Sequence, residues 1–551
     1  MRQDYGNDNL SAHCTIHDRS QFEVQFNYDV AADNLSDGQA VEHYRVEAYY
    51  FFPSNMGISQ LSFPRETFYR SLYGYIRFKT PEISELTLLD PLSRQSPLNA
   101  ISFHVKQIDS GDASAEDKAV NEARLFGCIV SSLLRARAKD LDERMQAAKS
   151  RPGDNAAWRE LEGALGDFLS DLPELLERYR GLVAEFRTLE SRLAPTTLSR
   201  LGQVDEFLTY RFDHTLADLH FQLQSTWEAP TRLAKVSDRL HAVAEREGEH
   251  RARQGYVSLA PGDDDALALY TYRSGALKKL IDQVLYLDVK TIQETNRWKN
   301  FAAMMGALVA AYFAALTNTG FILRLYATNL LLAMTIFAIA YVVKDRIKEL
   351  LRESLWSKIS RYFPDNKLLI HDPTSDIDVG KCKERVIYLT KPSVPADVLK
   401  VRNTQHVVDL DQERKETVIL YQNDLKLYAR EILSEHKRRT DIKHILRFSV
   451  EELLARLDNP TARVQFYDPS SRIFCRVRAP KVYHLNVVFR LTHWDERNRK
   501  EAPFYHRIRV ILDKNGIHRI DTVPLDGEIY TQRKSQGPLP AAVPIGEENL
   551  F

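Results

Sequence analysis

Hydrophobic and polar positions alternate strictly near the start of the chain and then change period. Phe22, Val24, Phe26, Tyr28 and Val30 alternate with Glu23, Gln25, Asn27 and Asp29. After a polar loop with Asp33, Asn34, Asp37 and Gly38, the alternation returns as Tyr44, Val46, Ala48, Tyr50 and Phe52. A period of two marks a strand with one polar face, and two such runs joined by turn-type residues predict an antiparallel pair. Pro64 sits at a first helical turn, and Phe68, Leu72, Tyr75 and Ile76 recur at helical spacing up to Lys79. The aromatics from Phe51 to Phe78 read as the core of a small α+β domain, with a ligand pocket as the lesser reading.

From Ala115 the composition turns helical. Ala115–Ser150, Asn155–Arg192, Leu198–Ser225 and Thr231–Arg253 form a set joined by short turns, with Pro173 expected to start a new helix inside the second. They predict a bundle or long hairpins. Gly255–Asp265 is a linker, in which Asp263, Asp264 and Asp265 read as a helix N-cap rather than a cation site. The next helix, from Ala266, is expected to run unbroken into the long apolar stretch beyond it.

That stretch, Phe301–Val343, carries a single ionisable residue, Arg324. As one helix it would reach about 65 Å, twice the hydrocarbon core of a bilayer, so the break at Asn318-Thr319-Gly320 predicts a two-span transmembrane hairpin. Ala302, Gly306, Ala310 and Ala314 form one track of small residues, and Ala303, Ala307, Ala311 and Ala315 the next. Such tracks let helices approach closely in lipid, either the returning helix or another protomer. Asn329 would bridge helices or line a polar seam. The lack of Asp, Glu, Lys or His in mid-membrane argues against a proton relay or ion-coupled transport. Ile347, Leu351, Leu355, Ile359 and Phe363 then predict an amphipathic juxtamembrane helix with Lys344, Lys348 and Arg352 on a basic track.

Beyond Pro364, Leu368–Ile370 and Arg385–Leu389 read as strands around Thr374-Ser375-Asp376-Ile377-Asp378-Val379. That segment resembles the SDID motif of nucleotidyltransferases, whose two aspartates hold magnesium for nucleotide transfer. The Gly-Ser pair of those enzymes is missing, since the region upstream reads Pro364-Asp365-Asn366-Lys367. Asp376 and Asp378 therefore read first as turn residues and only second as a catalytic pair. Val418–Leu457 is expected to be helical and includes the basic run His436-Lys437-Arg438-Arg439. The end of the chain predicts a β meander: Tyr483–Leu491 and Ile508–Leu512 alternate, and Asn515-Gly516 makes a hairpin turn. A preceding strand places Arg472, Arg476 and Arg478 around Phe474, opposite Ile473, Cys475 and Val477. That basic patch reads as a solvated face, with a phosphate or a single-stranded base as the alternative ligand. His484, His506 and His518 differ in phase and do not converge on a metal.

Composition narrows the function. Lys+Arg and Asp+Glu each total 75, so the chain lacks the net basic charge of a dedicated nucleic-acid binder. The four cysteines form no CxxC pair, which fits a reducing compartment. The first thirty residues show no secretory pattern, and Lys290, Arg297 and Lys299 before the hairpin, with Lys344, Arg346 and Lys348 after it, place both soluble parts in the cytosol. No phosphate loop, GxGxxG, GxSxG or HExxH occurs. AYYFFPSNMGIS and FPRETFYRSLYGYIRFKTP have the specificity of a family signature, without pointing to a characterised family.

The expectation is a multidomain α+β integral membrane protein of the cytoplasmic membrane. Its divisions are an α+β domain (1–110), a helical domain (111–255), a linker and helix (256–300), the hairpin (301–343), the juxtamembrane helix (344–363), an α+β domain ending in the meander (364–535) and a tail (536–551). The expected function is a non-catalytic sensor or scaffold without cofactor. Its expected partners are the lipid bilayer, further copies of itself and a cytosolic protein, with nucleic acid less favoured. The alternatives are a membrane-disrupting defence effector and a tethered nucleotidyltransferase-like enzyme.

Overall fold

The computed structural model describes residues 10–28, 30, 41–112, 114–151, 154–225, 233–259, 262–292, 295–317, 330–359, 364–404, 415–494, 503–523 and 530–533. The chain divides into two compact units. One comprises residues 1–76, 287–434 and 441–551, and the other residues 77–286 and 435–440. The N-terminal strands and the C-terminal meander thus belong to one unit, although several hundred residues of chain separate them.

That first unit is built on two antiparallel sheets. Strands β1 (Leu10–Ile16), β2 (Gln21–Tyr28), β4 (Leu72–Phe78) and β9 (Ile442–Ser449) form a sheet in the order β1-β2-β9-β4. The larger sheet is centred on β3 (Val41–Pro53), which pairs along its whole length with β8 (Glu416–Tyr428) and also with β12 (Tyr483–Trp494). Outward from β8 run β7 (Ile377–Leu389), β6 (Asn366–Asp372) and β5 (Asp288–Thr291). Outward from β12 run β13 (Phe504–Asp513), β14 (Gly516–Thr522) and β15 (Tyr530–Arg533).

The two N-terminal runs are strands, but they do not pair with each other. Each has an apolar face, and the two faces meet between the sheets: Tyr28 and Tyr44 lie 4.6 Å apart by ring centroid, Phe26 and Phe489 5.5 Å, Tyr50 and Phe448 5.0 Å. Face-to-face burial satisfies both apolar stripes at once, whereas simple pairing would leave them side by side. On the opposite face of the large sheet, helix α11 (Ala396–Arg402) buries Val398 and Val401 against Tyr49, Phe51, Leu420 and Val488. The hairpin turn forms one residue earlier than expected: Lys514 and Asn515 are its central residues, and Gly516 already pairs with Asp513 as the first residue of β14. Gly516 has φ +133°, and a β-carbon there would lie 2.4 Å from the Arg19 carbonyl, so the meander's turn closes against the β1–β2 turn.

Two helical expectations become strands. Helix α1 is only Arg65–Ser71, and Leu72–Phe78 pairs into the small sheet beside β9. Val418–Ser449 contributes β8 and β9, separated by α12 (Ala429–Glu435). Short mixed patterns there carry both periods, and sheet partners distant in sequence decide between them.

The second unit is helical. It holds α2 (Glu85–Leu89), α3 (Pro97–Asp109), α4 (Ala115–Ser150), α5 (Asn155–Thr188), α6 (Thr197–Gln224), α7 (Ala234–Gln254) and α8 (Asp264–Asp282). Pro173 does not start a new helix; α5 runs through it. Asp263 caps α8 by accepting from the Ala266 N–H at 2.9 Å, the ordinary role for that acidic run. The basic run is also used internally: Arg438 makes two hydrogen bonds to Glu122, and Arg439 donates to the Val284 carbonyl and lies over Phe78.

The expected membrane hairpin is corrected, and with it the integral-membrane class, the transmembrane assignment and the inner-membrane address. Among the described residues no helix is long and apolar enough to cross a membrane. Helix α8 does not continue into the apolar stretch; it ends at Asp282, and β5 follows at the sheet edge. Helix α9 (Thr295–Thr317) and α10 (Leu330–Ile359) take up the two apolar runs. The apolar part of α10, Leu330–Val343, reaches about 21 Å at 1.5 Å per residue, short of a hydrocarbon core of about 30 Å. The same helix then carries Lys344, Asp345, Arg346, Lys348, Glu349 and Arg352, so no separate juxtamembrane helix exists among the described residues.

The pairing of α9 with α10 works against a span as well. A β-carbon on Gly306 would lie 3.1 Å from the Lys348 carbonyl and 3.3 Å from the Arg352 nitrogen, which sets the charged turns of α10 beside the middle of α9. Asn318-Thr319-Gly320, Arg324, Asn329 and residues 360–363 lie outside the described residues.

The buried polar groups set two stability tests. His444 and His506 sit in the apolar layer of the two-sheet unit, and burial holds both at about 4, below the usual 6.5. The unfolded chain therefore takes up these protons first, so stability is complete above pH 6.5 and falls as pH drops towards 4, by up to about 3 kcal/mol per histidine. Urea unfolding at pH 7 and pH 4.5 should show this loss, and His444→Gln with His506→Gln should flatten it. In the helical unit Arg180 bridges Asp205 (2.9 Å) and Glu247 (2.7 Å), while His250 and Tyr256 also bond Asp205. Arg180→Met strands the buried Glu247 carboxylate and takes the cation from Asp205, and should cost about 3 kcal/mol or more in urea melts.

Candidate interaction site

Strands β10 (Thr461–Asp468) and β11 (Ile473–Pro480) form a separate two-stranded hairpin with both faces largely open to solvent. Its turn is locally specified. Asp468 accepts from the Ser470 N–H and from the Ser470 and Ser471 hydroxyls, and those hydroxyl and amide bonds hold its carboxyl down at about 2. Arg472 closes the turn in a left-handed conformation, φ +58°. Arg472 is thus a turn residue and stands outside the strand that carries Arg476 and Arg478.

Register sorts the remaining side chains into two unlike faces. Arg463 stands opposite Arg478, Gln465 opposite Arg476, and Tyr467 opposite Phe474, whose ring lies 5.2 Å away. Phe474 is 87% exposed. The other face pairs Ala462 with Ala479, Val464 with Val477, and Phe466 with Cys475, a continuous apolar strip. The chain pattern around Phe474 shows Arg476 and Arg478, but Arg463 and Tyr467 join them only through pairing. A two-stranded ribbon with so little burial is marginal by itself. Like charges directly opposite add a further cost.

The small-residue tracks divide differently. Gly306 and Ala310 are buried, so one track faces α10 of the same chain, while Ala303, Ala307 and Ala314 are half-buried and Ala311 and Ala315 exposed. The Ala302 side chain and Asn329 lie outside the described part of the structure. Facing away from that seam, Met304, Leu308, Tyr312 and Leu316 form a four-residue stripe, each 60–72% exposed.

Asp376 and Asp378 do not converge as a metal pair. They flank His371, whose Nε2 lies 3.2 Å from Asp376 and whose Nδ1 lies 3.0 Å from Asp378. Asp376 is 97% exposed in a left-handed turn, φ +56°, and Asp372 caps that turn by accepting from Thr374 and Ser375. This is the geometry of a β-turn held by side chains. His518 Nε2 lies 2.8 Å from the Asp513 carboxylate, and His506 is buried elsewhere. Among the described residues no three His, Cys, Asp or Glu side chains are placed to hold a metal ion. Cys14, Cys128 and Cys382 are buried, and burial pushes their thiols up, away from the reactive thiolate.

Comparison with protein-family models, with curated proteins and with solved structures finds no match for the chain.

Asp468→Ala should loosen the ribbon without touching the sheets. Amide exchange at Val464 and Val477 should quicken at least about tenfold while that at Val487 and Val510 is unchanged, as read by hydrogen-exchange mass spectrometry.

Proposed function

We propose that the chain is a non-catalytic scaffold that assembles with copies of itself through its apolar projections and presents its remaining faces to a protein partner. The observation that carries this reading is the stripe of Met304, Leu308, Tyr312 and Leu316 on α9. On α10, Leu331, Met334, Phe337, Ile339 and Val342 are exposed as well. Monomers rarely expose a contiguous apolar patch beyond about 300–600 Å². A two-fold axis would set each hairpin against an identical one and bury both stripes with a single self-complementary contact. The apolar strip of the β10–β11 ribbon offers a second contact of the same kind.

The competing readings have less support. The bilayer-breaching effector rests on spans that the described helices do not provide. The nucleotidyltransferase-like enzyme rests on two aspartates that face opposite sides of one imidazole. The scaffold needs neither.

Light scattering after size exclusion tests the proposal across a range of protein concentration. The full chain should run as a dimer or larger, and Leu308→Lys with Tyr312→Lys should reduce the mass while the far-ultraviolet circular dichroism of the folded chain is unchanged. Phe466→Lys tests the ribbon separately. A monomeric mass for the unaltered chain, or an unchanged mass in both variants, would remove this reading.

A further inference from the structure

The face of the large sheet beyond α11 carries a feature that neither assembly nor stability accounts for. Register sets Trp494, His43, Lys426, Lys381, Leu369 and Lys290 in one row across β12, β3, β8, β7, β6 and β5. The adjacent row holds Arg45, Asp424, Lys383 and Lys367. Alternation gives all of them the same side of the sheet, with the two rows about 6.7 Å apart along the strands. Lys381 thus stands directly opposite Lys426, and Lys383 directly opposite Lys367.

Like charges placed in register destabilise a sheet, so Lys381 opposite Lys426 is a cost to the fold. Asp424, the single carboxylate in these rows, is already engaged: Arg45 donates to it at 2.5 Å and His43 lies 3.6 Å away. Among the described residues Lys381, Lys383 and Lys426 form no salt bridge, and Lys383 is exposed. The register itself is tightly held at this point. A β-carbon on Gly380 would lie 2.5 Å from the Lys426 carbonyl, so only glycine lets β7 approach β8 so closely beside the lysines. Aromatic rings border the cations: His43 stacks on Trp494 at 4.3 Å, and Lys381 lies 5.9 Å from the ring of Tyr428.

We infer that this face binds the phosphate backbone of a single-stranded nucleic acid. Rows of lysine supply the neutralising charge, their spacing along the strands lets successive phosphates lie over successive rows, and the bordering rings suit bases that leave the backbone. The zero net charge of the chain does not oppose this, because binding depends on local charge. The inference is independent of self-assembly, which uses other surfaces.

Fluorescence anisotropy of the full chain with a labelled oligodeoxythymidylate of about 16 nucleotides tests it. Binding should weaken steeply with salt, and Lys381→Glu with Lys426→Glu should reduce affinity at least tenfold and flatten the salt slope by roughly 1.4, about 0.7 for each phosphate no longer neutralised. Lys381→Glu alone should also raise the melting temperature, because it turns a repelling pair into an attracting one. Lys381→Gln with Lys426→Gln provides the same readout should the charge reversal fail to fold. Absence of binding at low salt, or equal binding by the variants, would overturn the inference. Equal competition by inorganic polyphosphate of matched charge would overturn nucleic acid as the ligand, and a lower melting temperature for Lys381→Glu would show that the lysines serve the fold.

Discussion

The pairing of β3 with β8 on one side and β12 on the other is the constraint on which the first unit rests. Val41–Pro53 finds neither partner nearby: one begins at Glu416 and the other at Tyr483. No part of the large sheet can close around β3 before the C-terminal third of the chain is present. The loop-closure entropy is offset by a nearly dry interface, since Tyr44, Val46, Ala48, Tyr50 and Phe52 are all buried. The small sheet answers the same demand, because the apolar face of β3 needs a cover and β2 and β9 supply it.

That closure explains how the other features are presented. The helical unit enters as an excursion between Ile76 and Leu287, two residues joined by a backbone hydrogen bond, so the sheet unit continues across the insertion. The α9–α10 hairpin leaves from β5 and returns at β6, the strands at one edge. The β10–β11 ribbon leaves between β9 and β12. All three are long insertions between neighbouring parts of a sheet framework, and long insertions cost little closure entropy once their ends are fixed. Surfaces carried on such insertions are free to vary in apolar character without disturbing the framework.

Much of the local structure was legible. The long helices α4 to α7 match periodicity and turn residues, as do β2, β3 and the hairpin of β13 and β14, whose turn sits one residue earlier than the Asn515-Gly516 pair predicts. The basic residues were legible only one by one. Arg476 and Arg478 share a face because they are two apart, but Arg463 joins them only by cross-strand register. The lysine rows lie on four strands drawn from residues 288 to 428, and no sequence window contains them. Asp376 and Asp378 show the converse case: a short motif sets them two residues apart in sequence, and the structure sets His371 between their carboxylates.

By itself the sequence determined the period of each long segment, the turns that glycine and asparagine demand, and the concentration of apolar residues in 301–343. Those are local quantities, set by backbone sterics and by side-chain spacing. Only the tertiary structure decided that β2 and β3 stack across two sheets, that Leu72–Phe78 is a strand, and that Gly306 packs beside Lys348 and Arg352. An apolar run states that burial is favourable without naming the surface that provides it, and an isolated strand does not specify its neighbours. Partner choice is settled by which faces can be buried together, and that is a property of the whole chain.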